Sequence, residues 1–170
     1  KISKYKKNII VFGNTEYKKK FNLKYVNIDL KKSFLSSQTK NYVSKFLKIQ
    51  KKYDFSIVEV HNRPSYISQL NKDLKKTVIS LYFHNDPLSM DGSKSIDDRK
   101  KLLKSCYKII FNSNWSKKRF LEGLENKFVN SNKLVVFFQS ASKKNFSILK
   151  KKKNWITFVG KLNKAKGYDV

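Results

Sequence analysis

Apolar residues fall along the chain in two rhythms, short continuous runs and helical repeats, and the two alternate. Asn8–Phe12 (N-I-I-V-F) reads as a buried strand, and Tyr25–Ile28 as a second, shorter one. Leu35, Tyr42, Phe46, Ile49 and Tyr53 recur at three-, four- and seven-residue spacing with lysines between them, which predicts an amphipathic helix. Strands are predicted at Phe55–Val60, Thr77–Phe83, Tyr107–Phe111 and Leu134–Phe138. Helices are predicted over Ser65–Leu74, from a cap at Ser95–Asp98 to Ser105, and from Ser113 or Asn114 to about Leu124.

The later strands are continuous apolar runs rather than alternating ones. That pattern predicts a Rossmann-like α/β fold, a parallel sheet with helices on both faces. In such sheets sites form at the carboxyl ends of the strands. Three consecutive strands end there in polar clusters: His61-Asn62-Arg63, His84-Asn85-Asp86 and Asn112-Ser113-Asn114. His84 leaves its strand directly, placed either to hydrogen-bond a substrate hydroxyl or phosphate or to cap a nearby carbonyl. Asp86 precedes a proline, so turn chemistry competes with a role as base. His61 and Arg63 suit an anionic acceptor, Arg63 through a bidentate contact, or a solvated loop. Asn112, Ser113 and Asn114 read as caps of the following helix.

Charge adds a field to this picture. Lysine and arginine number 39 against 12 acids, a net charge of +27 over 170 residues. Only Arg63, Arg99 and Arg119 are arginine, whereas readers of nucleic acid favour its bidentate fork. The field still attracts polyanions, so a basic α/β module for nucleic acid or other polyanions stands as an alternative reading. Hydrophobic residues make up 39% of the chain, which excludes a disordered polyelectrolyte. Cys106 is the single cysteine, so an internal disulfide is excluded, and its place at a helix end reads as packing. His61, His84, Asp86 and Cys106 lack zinc-ligand spacing and no D-x-D sequence occurs, so no metal is expected. There is no apolar run of membrane-spanning length.

The closing stretch, Trp155–Val170, reads W-I-T-F-V-G-K-L-N-K-A-K-G-Y-D-V. A strand, a small lysine-rich turn and a helix start can bind phosphate through free backbone N–H groups. The other reading is a turn with solvated lysines. F-V-G-K-L-x-x-x-K-G-x-D-V resembles the segment that opens the second domain of family 4 retaining glycosyltransferases of GT-B fold. The segments V-E-V-H-N-R-P-S-Y, L-Y-F-H-N-D-P-L-S-M-D-G and I-I-F-N-S-N-W-S-K-K-R-F-L-E-G resemble the first domain of bacterial members that build lipopolysaccharide and capsule glycans.

The resemblance implies three parts: an acceptor-side Rossmann-like domain over 1–142, a lysine-rich linker over 143–154, and the start of a donor-binding domain over 155–170. It implies sugar transfer from a nucleotide-sugar donor to a cell-envelope glycan or glycolipid, with retention. Gly160, Lys161 and Lys166 would hold the donor diphosphate. Lys161 stands where the family has arginine. His84 would be the catalytic-side histidine beside the donor sugar. His61, Asn62, Arg63, Asn85 and Asp86 would face the acceptor, and Asn112 and Ser113 a donor-side loop. No cofactor, metal or specific nucleic acid is implied. The implied place is the cytoplasm, with peripheral contact to the anionic inner face of the membrane. The family's glycine-rich loop, its P-N-G-V-D turn and its E-x7-E region have no counterpart between Lys1 and Val170. The chain is therefore expected to be a fragment, folded in large part and unable to transfer sugar alone.

Overall fold

The computed structural model describes residues 8–14, 23–30 and 37–140. The chain divides into two compact units, residues 1–139 and 140–170, and all described residues except Ser140 belong to the first. Gly160, Lys161 and Lys166, the lysine-rich linker and the closing strand lie outside the described residues.

Among the described residues six strands and four α-helices follow in order: β1 (Ile10–Gly13), β2 (Lys24–Asn27), α1 (Gln38–Gln50), β3 (Ile57–His61), α2 (Ile67–Asp73), β4 (Val78–Phe83), α3 (Ile96–Ser105), β5 (Lys108–Phe111), α4 (Asn114–Leu121) and β6 (Leu134–Val136). Strands β1 and β2 pair in parallel as one sheet. Strands β3, β4, β5 and β6 form a second sheet in chain order, also parallel throughout. The parallel Rossmann-like α/β architecture predicted from the apolar runs is present. Among the described residues, however, all four helices contribute to the cluster on one face of the four-stranded sheet, not to both faces as predicted, because sequential right-handed crossovers between neighbouring strands land on the same side. A parallel pair needs a crossover, and α2, α3 and α4 supply the three that the four-stranded sheet requires.

Local chemistry sets the helix ends. Ser37 caps α1 by accepting from the Lys40 N–H at 3.2 Å. Ser95 and Asp98 form a reciprocal capping box on α3, with Asp97 and Asp98 in its first turn where the helix end is positive. Ser113 caps α4 by accepting from Ser116 N–H. Helix α4 stops at Leu121, short of the predicted Leu124, because Gly123 turns the chain with a φ of +73°. Strand β6 is shorter than the run Leu134–Phe138 predicts. Its partner β5 ends at Phe111, and Phe137 and Phe138 stand exposed.

The register assigns each strand residue to a face. Val60, Leu81, Ile109 and Leu134 lie side by side on one face, with Phe83 and Phe111 in the next row. These residues join Val43 and Phe46 of α1, Ile67 and Leu70 of α2, Leu102 and Leu103 of α3 and Phe120 of α4 in one buried cluster. Phe83, Phe111 and Phe120 form its centre, with ring centroids 5.4 to 5.8 Å apart. The opposite face carries Ile57, Glu59, His61, Val78, Ser80, Tyr82, Lys108, Ile110 and Val135, and none of these belongs to that cluster.

Arg99 is 3% exposed inside α3. Its guanidinium donates to the carbonyls of Phe120 at 2.5 Å, Glu122 at 2.6 Å and Ser95 at 3.2 Å. Two of these carbonyls end α4, where helices leave acceptors without intrahelical partners and a positive charge is favourable. Arg99→Met is expected to cost about 2–4 kcal/mol of unfolding free energy, since it strands buried carbonyls that a charged donor satisfied. Lys100→Met, next to it on the helix, is expected to change stability by under about 0.5 kcal/mol. Urea unfolding of both variants checks this, and equal losses would remove the capping role.

Candidate functional site

A parallel ladder runs out of partners where its strands end. Here two asparagine side chains continue it by one residue. Asn62 N–H donates to the Tyr82 carbonyl at 2.9 Å and Asn112 N–H to the Phe83 carbonyl at 3.2 Å, the last backbone bonds on either side of β4. Beyond them the Asn62 side-chain oxygen accepts from His84 N–H at 2.7 Å. The Asn112 side-chain amide donates to the His84 carbonyl at 2.7 Å. The backbone of His84 is thus held from both neighbouring strands. Asn62 adopts a φ of +51°, a conformation asparagine tolerates better than most residues.

So held, the His84 ring folds back over the sheet face that carries Glu59, His61 and Tyr82. It lies on the Tyr82 ring with centroids 4.2 Å apart and planes inclined by 23°. It meets His61 differently. The two imidazoles are inclined by only 13°, with centroids 5.0 Å apart and His61 Nδ1 2.7 Å from His84 Nε2. The rings therefore lie edge to edge, the geometry of a hydrogen bond between ring nitrogens. His61 Nε2 reaches the Glu59 carboxylate at 2.9 Å, and Gln139 Nε2 reaches His84 Nδ1 at 2.6 Å. Tyr82 buries its ring under the histidines and donates its hydroxyl to the Phe137 carbonyl at 2.8 Å. That bond brings the chain after β6 beside His84.

Environment sets the charges. The hydrogen bond from His61 holds the Glu59 carboxyl below its ordinary range. Burial, reinforced by the neighbouring His61, pushes His84 below its ordinary 6.5, and Glu59 opposes this only in part. Burial, helped by the Glu59 charge, raises the Tyr82 phenol. At neutral pH the site holds an ionised Glu59 carboxylate and a neutral His84 imidazole.

Of the predicted residues, His61, Asn62, His84 and Asn112 come together. The other described ones are placed otherwise. Arg63 is exposed and donates to the neighbouring Asn62 carbonyl at 2.9 Å. Asp86 serves the turn: it accepts from Leu88 N–H at 3.0 Å and pairs with Arg119 at 3.2 Å. The Asn85 carbonyl accepts from the buried Ser116 hydroxyl at 3.4 Å. Ser113 caps α4. Cys106 is buried with its thiol pushed up to about 12 by desolvation, the state of a packing residue. Glu59, Tyr82, Phe137 and Gln139 complete the site and were not singled out in the sequence. Glu59 and His61 are a period-two polar pair in an apolar strand, a signal that was there to read. Gln139 carries no such signal.

Gly92 fixes the floor of this edge. With a φ of +90°, its Cα lies so near the Ser65 backbone that an added Cβ would stand 2.7 Å from the Ser65 nitrogen. The loop after β4 is thereby seated on the loop after β3. Among the described residues, no three His, Cys, Asp or Glu side chains are placed to share a metal ion, and no helix is long and apolar enough to cross a membrane. No protein-family model, curated protein or solved structure matches the chain.

The clamp and the charges each have a measurable consequence. Asn62→Ala removes the acceptor for His84 N–H and puts a Cβ-bearing residue at positive φ. It is expected to cost about 2 kcal/mol. Asn62→Gly, which loses only the bond, is expected to cost about half that; equal stability of all three chains in urea would dismiss the clamp. In the unfolded chain His84 takes up a proton near 6.5, and in the fold only at lower pH. Between those values the unfolded chain binds more protons, so stability falls on acidification. Glu59 adds a second loss below its ordinary 4.5. Denaturation midpoints of the native chain relative to His84→Gln are therefore expected to drop between pH 7 and 5, and a pH-independent difference would contradict the assignment.

Proposed function

We propose that this chain carries the acceptor-side domain and the opening of the donor domain of a retaining glycosyltransferase. The enzyme would move a sugar from a nucleotide-sugar to a cell-envelope glycan. The observation that supports it is the convergence on His84. Polar groups at the carboxyl ends of β3, β4 and β5 meet at one histidine, held by Asn62 and Asn112. That is the edge where parallel α/β sheets bind ligands. The motifs that resemble the transferase family run through these same strand ends.

In this reading the donor diphosphate lies against Gly160, Lys161 and Lys166, and the acceptor lies by His61, Asn62 and Asn85. Negative charge builds on the leaving diphosphate as its bond to the sugar breaks, and fixed lysines would stabilise it there. Retention of configuration, the cytoplasmic location and contact with anionic lipid follow from the resemblance alone.

The net charge of +27 favours a second reading, capture of polyanions such as RNA. Calorimetry of the chain with uridine-, guanosine- and cytidine-linked sugars, repeated with an unstructured RNA, separates the two. One nucleotide-sugar is expected to bind, and Lys161→Ala or Lys166→Ala to weaken it about tenfold, the loss of one charge-assisted contact. Binding of RNA alone, with affinity collapsing as salt rises, would replace the transferase reading by the polyanion one.

A further inference from the structure

The four side chains Glu59, His61, His84 and Gln139 form an unbroken line of hydrogen bonds, and for the state in which each imidazole carries one hydrogen their chemistry fixes its direction. An ionised carboxylate only accepts, so His61 Nε2 must carry the hydrogen that meets Glu59 at 2.9 Å. A neutral His61 then has a bare Nδ1. The hydrogen in the 2.7 Å contact must come from His84 Nε2. A neutral His84 therefore has a bare Nδ1, which accepts from the Gln139 amide at 2.6 Å. Each donor meets one acceptor, and every bond points toward Glu59.

We propose that Glu59, His61 and His84 are a directed proton relay whose outer end, Nδ1 of His84, takes the proton of a ligand hydroxyl, with the Gln139 amide holding that position in the resting chain. The identity of that hydroxyl as one on a sugar acceptor rests on the transferase reading; the relay itself does not. The transfer balances. The ligand O–H bond breaks and a bond to His84 Nδ1 forms. The Nε2–H of His84 passes to His61 Nδ1, and the Nε2–H of His61 passes to Glu59. The hydroxyl oxygen keeps its electron pair, and the half-exposed Glu59 releases the proton to water. The two imidazoles cannot both become cations across a 2.7 Å contact, so one added proton belongs to the pair.

The site is built to keep this line. Asn62 and Asn112 fix the His84 backbone. Tyr82 fixes the plane of its ring and, through its bond to the Phe137 carbonyl, the approach of Gln139. Among the described residues, the charged and titratable groups on this face are Glu59 and His61 from β3, Tyr82 from β4 and Lys108 from β5, which lies beside Ser80 one row down. Among the described residues Glu59 is the acid at the inner end of the line. In this scheme Glu59 and His61 act through His84 as positioning residues, and only His84 meets the reacting hydroxyl.

The test needs no sugar transfer. Nitrogen-15 spectra of the full chain, labelled at its two histidines, report which ring nitrogen is protonated. At pH 8 both are expected as the Nε2–H form. Acidification is expected to add one proton to the pair, appearing on His84 Nδ1 as the line reverses. Glu59→Gln is expected to lower the pH of that step by removing the charge that stabilises it. Gln139→Ala is expected to move His84 Nδ1 alone and to leave His61 unchanged. A His84 in the Nδ1–H form at pH 8, two independent titrations, or a Glu59→Gln chain that titrates as the native one would each overturn the relay. If nucleotide-sugars fail to bind while these tautomers are found, the transferase reading falls and the relay stands.

Discussion

The site rests on what happens to β4 after its ladder ends. Val78–Phe83 is the inner strand between β3 and β5, and it is buried along nearly its whole length. Such a strand normally opens into solvent at its carboxyl end, where its backbone groups are free. Here Asn62 and Asn112 repeat the ladder with side-chain amides, one accepting and one donating. Regular pairing carries over into the first residue of the loop, so His84 has a strand's rigidity at a loop's position. A ring on a free loop would lose rotamer freedom to make the same contacts. The two amides hold the backbone from which the ring reaches Tyr82 and the line to Glu59.

Most of the scaffold was legible because strong signals agreed. The apolar runs of β3, β4 and β5 are bounded by polar residues, and Ser95 with Asp98 and Ser113 announce their helices. The strand ends were legible for the same reason: polar clusters after apolar runs mark the edge of a sheet. Contacts across the sheet were not. His61 and His84 are 23 residues apart, and Gln139 a further 55 from His84. Only the parallel register, with His61 opposite Tyr82, brings them to one place. Asp86 shows the opposite failure. Its chemistry suited a ligand, but the turn before Pro87 and the guanidinium of Arg119 claim both its oxygens. Arg99 looked like one more helix charge in a basic chain, and nothing local announced the carbonyls of Phe120 and Glu122 that bury it.

The two faces of the four-stranded sheet divide the labour of the fold. One gathers the helices over Leu81, Phe83, Ile109 and Phe111 and supplies cohesion through apolar burial. The other holds Glu59, His61, Ser80, Tyr82 and Lys108 among the aliphatic Ile57, Val78, Ile110 and Val135. A single alternation along β3, Val58 and Val60 inward against Glu59 and His61 outward, commits each residue to one task. A one-residue slip in register would exchange them, bringing a carboxylate and an imidazole into the core, which is why the register is held so firmly.

The lysine excess bears on this site less than its size suggests. A field of +27 favours carboxylates and neutral imidazoles everywhere on the molecule. Salt screens exposed charges beyond about 8–10 Å, however, so distant lysines contribute little to any one group. What holds Glu59 ionised is the His61 ring at 2.9 Å, and what keeps His84 neutral is burial against Tyr82 and His61. The state of the site is therefore local. The global charge acts at longer range and at lower salt, as a general attraction for anions that leaves the protonation of these side chains to their short contacts.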